Sequence, residues 1–202
     1  MLKIREVEKN EKQVIEDVVK IHMETFTGFF LTFMGKGFLK QMYSCYCMHD
    51  NSCLLVAENE ENKVVGILGY SSDMSGLYKF MIKKRLVPFA WYSLGAFFRK
   101  PKVFMRLVRA FLKPSESVRE EKYVELASIG VKPDCKSGGV GSMLVDALKE
   151  RVDFSEFAYI TLETDAVDNE AANKFYVKNG FSLEREYETR EGRKMNEYRY
   201  RG

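Results

Sequence analysis

The sequence contains few of the residues that mark several protein classes. Among 202 residues there are four Cys, four Pro, 14 Gly and two His. Four unevenly spaced Cys do not form the disulfide framework of a small secreted protein, and so little Pro and Gly excludes a collagen-like or low-complexity chain. With two His, no Ser–His–Asp system can be recognised. The dense group Cys45, Cys47, His49 and Cys53 lacks the second ligand pair of a zinc site, so no metal is expected.

Long hydrophobic runs are missing as well. The longest uncharged apolar run, residues 86–98, has 13 residues, whereas a membrane-spanning helix needs about 20. Residues 1–12 are charged throughout and contain no apolar core of a signal peptide. The content of 46% hydrophobic and 30% charged residues is that of a globular protein. We therefore expect a cytoplasmic protein with a single domain over residues 1–202.

A net charge of +3 hides a strongly basic segment. Residues 76–113 contain ten Lys or Arg residues, nine aromatic residues and no Asp or Glu. Pro88, Pro101 and Pro114 recur at intervals of 13 residues, which predicts two short helices, because Pro is tolerated in the first turn of a helix. We expect a helical insertion at about 76–115. It could recognise an anionic acceptor, rest on an anionic membrane surface, or form a lid or dimer contact. No nucleic-acid-binding motif is apparent.

The periodicity of the remaining chain predicts a mixed succession of elements. Strands are predicted by alternating or continuous apolar patterns at 2–7, 53–57, 63–70, 123–131 and 159–163, and again from residue 181 and over 194–200. Helices are predicted at about 11–24, 38–48 and 169–178, and directly after the glycines at 138–141. His22 is expected to be a hydrogen-bonded histidine on the first helix. Early strands, a helical insert and late strand–helix alternation predict an α+β fold, a mixed sheet flanked by helices.

A glycine-rich loop carries the clearest chemical signal. In residues 131–142 a strand ends, glycines form a turn and an amphipathic helix begins. The unpaired N–H groups of a helix start favour an anion, and glycines let the backbone approach a phosphate closely. Lys136 adds a positive charge. Taken alone, this loop suits a phosphate-bearing ligand and a plain strand–helix turn equally well, and it is neither a P-loop nor a GxGxxG motif.

A second motif follows the next predicted strand. Helical spacing places Asn169, Ala172 and Tyr176 along one side of one helix. A small residue between two polar ones leaves space for an extended ligand. By itself, a solvated helix with a buried aromatic pair is the simpler interpretation.

Together the two motifs resemble the GCN5-related N-acetyltransferase (GNAT) superfamily. The family's pyrophosphate loop, Gln/Arg-x-x-Gly-x-Gly/Ala, is similar to residues 136–141, with Lys136 in the first position, which keeps the charge but not the planar fork of Arg. The later motif, Asn-x-x-Ala-x-x-x-Tyr, is similar to residues 169–176. The resemblance covers residues 125–181 best. The basic segment is not part of the family's common core.

The resemblance implies acetyl-CoA as the co-substrate, bound where two neighbouring strands separate. The strand backbone near Ile129 would pair with the pantetheine arm, the loop amides would hold the pyrophosphate, and Asn169 would hydrogen-bond to the cofactor arm. The implied cofactor-binding residues are Ile129, Gly130, Val131, Lys136, Ser137, Gly138, Gly139, Val140, Gly141, Ser142, Asn169, Ala172 and Tyr176.

The resemblance also implies direct attack of an amine on the thioester, without a covalent enzyme intermediate. Glu125, on the strand that leads to the cleft, is the candidate base for the amine proton; it could equally face solvent or pair with a Lys. Tyr176 is the candidate acid for the leaving thiolate, because a phenol keeps its proton at neutral pH. Phe26, Phe29 and Phe30 are candidate substrate residues.

The expected function is therefore N-acetyl transfer to a small-molecule amine, such as an amino sugar. A protein or peptide N-acetyltransferase is one alternative, and a non-catalytic CoA-binding or membrane-associated sensor is another. The other candidate partners are a membrane surface, contacted peripherally by residues 76–113, and a second copy of the chain in a homodimer.

Overall fold

The computed structural model of the protein describes residues 2–99, 101–102, 104–105, 121–135, 138–189 and 192–202, without the side chains of Phe30 and Arg99. The strands are β1 (Lys3–Glu6), β2 (Ser52–Glu58), β3 (Val64–Ser71), β4 (Tyr123–Val131), β5 (Tyr159–Asp165), β6 (Ser182–Glu188) and β7 (Lys194–Tyr200). The helices are α1 (Lys12–Thr25), α2 (Phe30–Met34), α3 (Lys36–Tyr46), α4 (Met74–Arg99), α5 (Val140–Arg151) and α6 (Glu170–Lys178), with a 3-10 turn at Pro133–Cys135.

These strands form one seven-stranded sheet in the order β1-β2-β3-β4-β5-β7-β6. Neighbouring strands run antiparallel except for β4 and β5, which are parallel. The prediction of an α+β fold with a mixed sheet and flanking helices is confirmed.

Strands β2 and β3 are buried on both faces of the sheet, which explains their continuous apolar runs. In β2, Leu54 and Val56 pack into a core with α1, α3 and α4, whereas Leu55 and Ala57 pack into a second core with α5. Because successive side chains of a strand point to opposite faces, one run of apolar residues supplies both cores.

Strands β4 and β5 separate soon after they meet. Their pairing joins residues 123–125 to residues 159–161 and does not continue. On its other edge, β4 pairs Leu126 with Tyr70 and Ser128 with Gly69, so Ala127 is the extra residue of a β-bulge. The part of β4 that follows the bulge therefore borders an opening toward β5.

Residues 76–99 of the basic segment lie in α4, between β3 and β4. The prolines predict two short helices that begin near Pro88 and Pro101, whereas α4 already begins at Met74 and its break lies at Arg85, where φ is −136° and ψ is 19°. Pro88 thus occupies the first turn of the second half of α4. A backbone N–H has no intrahelical acceptor there, so proline costs no hydrogen bond. The predicted break at Pro114 lies outside the described residues. In the ranges given above, no helix is both long enough and apolar enough to cross a membrane.

Candidate active site

The glycine-rich loop leads from β4 through the 3-10 turn into α5. Gly139 caps this helix in the left-handed conformation, with φ of 74°, which favours glycine. The first helical hydrogen bond runs from Met143 N to Gly139 O over 3.1 Å. The amides of residues 140–142 precede that bond and are therefore available to an anion. Lys136 and Ser137, which the family motif places in this loop, lie outside the described residues.

Close packing brings the start of α5 against α6. A Cβ on Gly141 would lie 3.0 Å from the ring of Phe175, on α6. A Cβ on Gly66 of β3 would lie 2.7 Å from Val140 Cγ1. The two glycines thus allow α5 to approach both the sheet and the helix that carries the second motif.

A cleft of about 500 Å³ lies where β4 and β5 separate. Strand β4 lines it with residues 126–129, and β5 with residues 163–165. The remaining wall comes from α1 and the segment after it, from α6 and from the β7 end, through His22, Thr25, Phe26, Phe29, Leu31, Asn169, Ala171, Ala172, Tyr176, Arg193 and Met195. The structure therefore brings Ile129, Asn169, Ala172 and Tyr176 together, and it places Phe26 and Phe29 on the same cleft; the side chain of Phe30 lies outside the described residues.

After the bulge, the backbone groups of β4 alternate between β3 and the open edge. Lys132 N donates to Val65 O on β3 over 2.9 Å. Since backbone groups alternate between the two edges of a strand, those of Ile129 and Val131 face away from β3. The carbonyl of Val131 accepts a hydrogen bond from Thr25 Oγ1 over 3.3 Å. Of the predicted β4 residues, only Ile129 lines the cleft, whereas Gly130 pairs with β3.

The two polar residues of the second motif differ in their environment. Tyr176 is buried, packs against the rings of Phe181 and Tyr198, and still contributes to the cleft wall. Burial raises the pKa of Tyr176 to about 12, so the phenol holds its proton at neutral pH. Asn169 precedes α6, and its Nδ2 donates to Thr164 Oγ1 over 2.7 Å.

Asn173, which sequence reasoning missed, fixes α6 to the sheet. Its Nδ2 donates to Asn169 O over 2.8 Å and to Asp165 O over 3.0 Å. Its Oδ1 accepts from Asn196 Nδ2 and Tyr198 Oη, each over 2.9 Å. The sequence contained one indication of this role. Asn is unfavourable in a helix interior, so an Asn at that position suggests that its amide makes hydrogen bonds.

Next to the cleft lies an apolar pocket of about 240 Å³, between the sheet, α3 and α4. Its apolar lining comes from Leu31, Met34, Phe38, Met42, Tyr46, Met74, Tyr78, Met81, Ile82, Leu86, Phe89 and Ala127, and its polar lining from Ser93, Glu125 and Ser128. Ala127 and Ser128 line both this pocket and the cleft. The two spaces therefore meet at the β-bulge.

Glu125 lies at the β4 wall of this pocket and is half-buried. Burial raises the pKa of Tyr78, and the charges of Glu125 and Glu163 raise it further. Burial also raises the pKa of Tyr46, with smaller contributions from the neighbouring Tyr78 and from Glu125. The carboxylate of Glu125 therefore lies near two buried phenols, those of Tyr46 and Tyr78.

A chain of hydrogen-bonding groups connects α1 to the same point of β4. His22 Nδ1 lies 2.7 Å from Tyr43 Oη, which lies 3.1 Å from Ser128 Oγ. His22 is 3% exposed, and burial lowers its pKa to about 4. Among the described residues its Nε2 has no hydrogen-bond partner. His22 is thus hydrogen-bonded, as expected, at Nδ1 but not at Nε2.

The cysteines have the character of core thiols. Burial raises the pKa of Cys45 to about 11 and those of Cys47 and Cys53 to about 12. Cys135, beside the glycine loop, is also a free thiol. In the part of the chain that the structure describes, no three His, Cys, Asp or Glu side chains are grouped so that they could hold a metal ion.

Comparison with known proteins shows which family has this architecture. The sequence profile described as "Acetyltransferase (GNAT) family" matches residues 15–181. The fold is similar to an N-acetyltransferase from Staphylococcus aureus Mu50, with 14% identity, a TM-score of 0.61, and coverage of 100% of this chain and 98% of that chain. It is also similar to the ribosomal-protein-S18-alanine N-acetyltransferase from Escherichia coli, with 14% identity, a TM-score of 0.59, and coverage of 100% and 94%.

A third similar structure is NAA60 from Arabidopsis thaliana in complex with acetyl-CoA, with 12% identity, a TM-score of 0.59, and coverage of 100% of this chain and 98% of that chain. At such identities these structures show a shared fold. A comparison with curated proteins finds no match. The family profile nevertheless covers most of the chain, and the chain belongs to the GNAT family of acetyltransferases.

Proposed function

We propose that the protein transfers the acetyl group of acetyl-CoA to the primary amine of a small molecule. The observation that carries this proposal is that Ala127 and Ser128 line both the cleft and the apolar pocket. Two ligands, one in each space, would therefore meet at the β-bulge. Membership of the family supports acetyl-CoA as the ligand of the cleft, which would leave the pocket to the acceptor.

In the cleft, the backbone of Ile129 would pair with the pantetheine arm as an added strand would. The available amides of residues 140–142 would bind the pyrophosphate at the start of α5, where the helix dipole favours an anion. Asn169 lies on the cleft wall and would hydrogen-bond to the arm. Lys136 and Ser137 stay predictions for the pyrophosphate.

The chemistry requires one side chain that accepts a proton and one that donates a proton. Glu125 would take one proton from the acceptor ammonium, directly or through water, since only a neutral amine attacks. The amine nitrogen then attacks the carbonyl carbon, the C–N bond forms, and the C–S bond breaks with its electron pair on sulfur. Tyr176 would protonate the thiolate and recover a proton from solvent, and Glu125 would release its proton to solvent. The second amine proton leaves to solvent, and the products are the N-acetyl compound and CoA thiol.

Two acceptor classes compete with a generic small amine. A peptide N-terminus is one, and the Escherichia coli neighbour is named for an alanine of a ribosomal protein. An amino sugar is the other. Contact of residues 76–113 with a membrane surface or with a second copy, and a cytoplasmic location, stay predictions.

Release of CoA thiol from acetyl-CoA in the presence of amines tests the proposal. We expect amine-dependent release in which Tyr176→Phe lowers kcat by at least about 100-fold, the lower end for loss of a general acid. Tyr200→Phe is the matched control, because Tyr200 packs against Phe154 and Phe181 and does not line the cleft. Equal rates for the two variants would exclude Tyr176 as the acid, and saturable acetyl-CoA binding without release for any amine would exclude the transfer.

A further inference from the structure

We infer that the apolar pocket holds the body of the acceptor, and that the acceptor is a small primary amine on an aromatic or aliphatic body. This inference rests on the proposed acetyl transfer and specifies its substrate class. A cavity of roughly 150 Å³ already holds benzene. The pocket has about 240 Å³, which is enough for a ring with a short side chain.

The pocket walls suit such a body. Met42, Met74 and Met81 line it with flexible thioether side chains, which adapt to irregular apolar shapes and make favourable contacts with aromatic rings. Phe38 and Phe89 meet edge to face, with ring centroids 4.8 Å apart. An apolar body would therefore exchange contact with water for contact with these side chains.

The polar residues of the pocket set the direction of the ligand. Glu125 and Ser128 both lie on β4, which borders the cleft, whereas Ser93 lies on α4. A carboxylate complements an ammonium group, and Glu125 would place that group on the β4 side of the pocket, where the thioester would lie. The ligand would thus enter with its amine toward β4 and its apolar body toward α3 and α4.

The same lining argues against strongly polar acceptors. A buried hydroxyl left without a hydrogen-bond partner costs about 1–3 kcal/mol, and an amino sugar would bring several hydroxyls against mostly apolar walls. A polyamine would bring a second ammonium against the same apolar walls, where Glu125 is the single carboxylate among the described residues of the lining. The pocket therefore selects an amine with one charge and few other polar groups.

The pocket opens to the surface along α4. Ile82 and Leu86 contribute to its wall and are 49% and 59% exposed. A free amine can therefore reach the pocket past these two side chains, which do not line the cleft.

A panel of amines tests the substrate class. The probes are 2-phenylethylamine and n-hexylamine on the apolar side, glucosamine and putrescine on the polar side, and a hexapeptide with a free N-terminus. We expect kcat/KM for the two apolar amines to exceed that for each of the others by at least about tenfold, the discrimination that a few buried groups provide. Equal or better use of glucosamine, putrescine or the peptide would overturn the inference while leaving acetyl transfer intact.

Substitutions within α4 test the pocket itself. Ser93→Phe would fill the pocket, and the neighbouring Leu94→Phe is the matched control, because Leu94 is exposed and does not line it. We expect Ser93→Phe to lower kcat/KM for 2-phenylethylamine by about tenfold or more and to leave that for ethylamine nearly unchanged. An equal effect on both amines, or on neither, would overturn the assignment. Should Ser93→Phe fail to fold, Leu86→Asn replaces it as the pocket variant, and Val87→Asn replaces the control. Both are then measured with the same two amines, since only Leu86 lines the pocket.

A binding measurement separates failure of the inference from failure of the proposed function. Calorimetric titration of 2-phenylethylamine into the protein with CoA requires no catalysis. Saturable binding that Ser93→Phe abolishes, together with no CoA release from acetyl-CoA, would refute the transfer and retain the pocket assignment. No binding and no acetylation of either apolar amine would refute the assignment.

Discussion

The imidazole of His22 is the most buried titratable group at the boundary of the cleft, and its neutral form is part of the fold. Its Nδ1 is 2.7 Å from Tyr43 Oη, and burial lowers its pKa from 6.5 to about 4. Because Tyr43 also contacts Ser128, the neutral ring positions a hydroxyl at the point where the two ligand spaces meet. Sequence reasoning identified His22 as a helix residue and could not foresee this chain, whose members come from α1, α3 and β4.

A pH titration of stability tests this account of His22. Between pH 6.5 and 4 the unfolded chain binds a proton at His22 that the folded chain does not, so stability should fall as pH falls through this window. The loss at its end is about 3 kcal/mol for a shift of this size. Urea unfolding at several pH values should show a shallower slope for His22→Gln than for the unsubstituted protein. The same change at the half-buried His49 serves as control, and identical slopes for His22→Gln and the parent would refute the account.

At the scale of single elements, the conformation of Gly139 makes a second prediction. Its φ of 74° at the start of α5 strains any residue with a side chain, so Gly139→Ala should cost about 1 kcal/mol of unfolding free energy. Asn tolerates this conformation better, and Gly139→Asn should cost less. The matched control is Gly138→Ala, whose Cβ would meet Cys135 O at an ordinary 3.5 Å. Urea denaturation measures all of these variants, and an equal loss for Gly138→Ala and Gly139→Ala would contradict the prediction.

Individual elements show which structural features can be predicted from a single sequence and which cannot. The position of β4 at 123–131 follows from its apolar pattern, because that pattern is decided locally, and the predicted bounds agree with the structure. The position of the break in α4 does not follow, because Pro88 permits a helix start one turn away as readily as at Pro88 itself. Asn169, Ala172 and Tyr176 could be chosen together because one helix brings them to one face. The role of Asn173 depends on β5 and β7, which are remote in sequence.

Across the whole molecule, the sheet consists of two parts with little direct connection. Strands β1 to β4 form one part and β5 to β7 the other, and three residue pairs between β4 and β5 join them. No local pattern predicts such a separation, since both strands are individually regular. A ligand in the cleft would add contacts between the two parts and should stabilise the entire fold.

Acetyl-CoA should therefore raise the melting temperature in proportion to the logarithm of its concentration. At about 100 times Kd, the added stability is about 2.7 kcal/mol, which corresponds to roughly 5–10 °C for a chain of this size. Differential scanning calorimetry measures this shift, and Asn169→Ala should reduce it at equal ligand concentration, whereas Tyr200→Phe should not.

Hydrogen exchange then locates the contact along β4. The amide of Ile129 should become protected by acetyl-CoA, whereas that of Lys132, already bonded to Val65 O, should change little. Protection of both amides, or of neither, would place acetyl-CoA somewhere other than the open edge of β4.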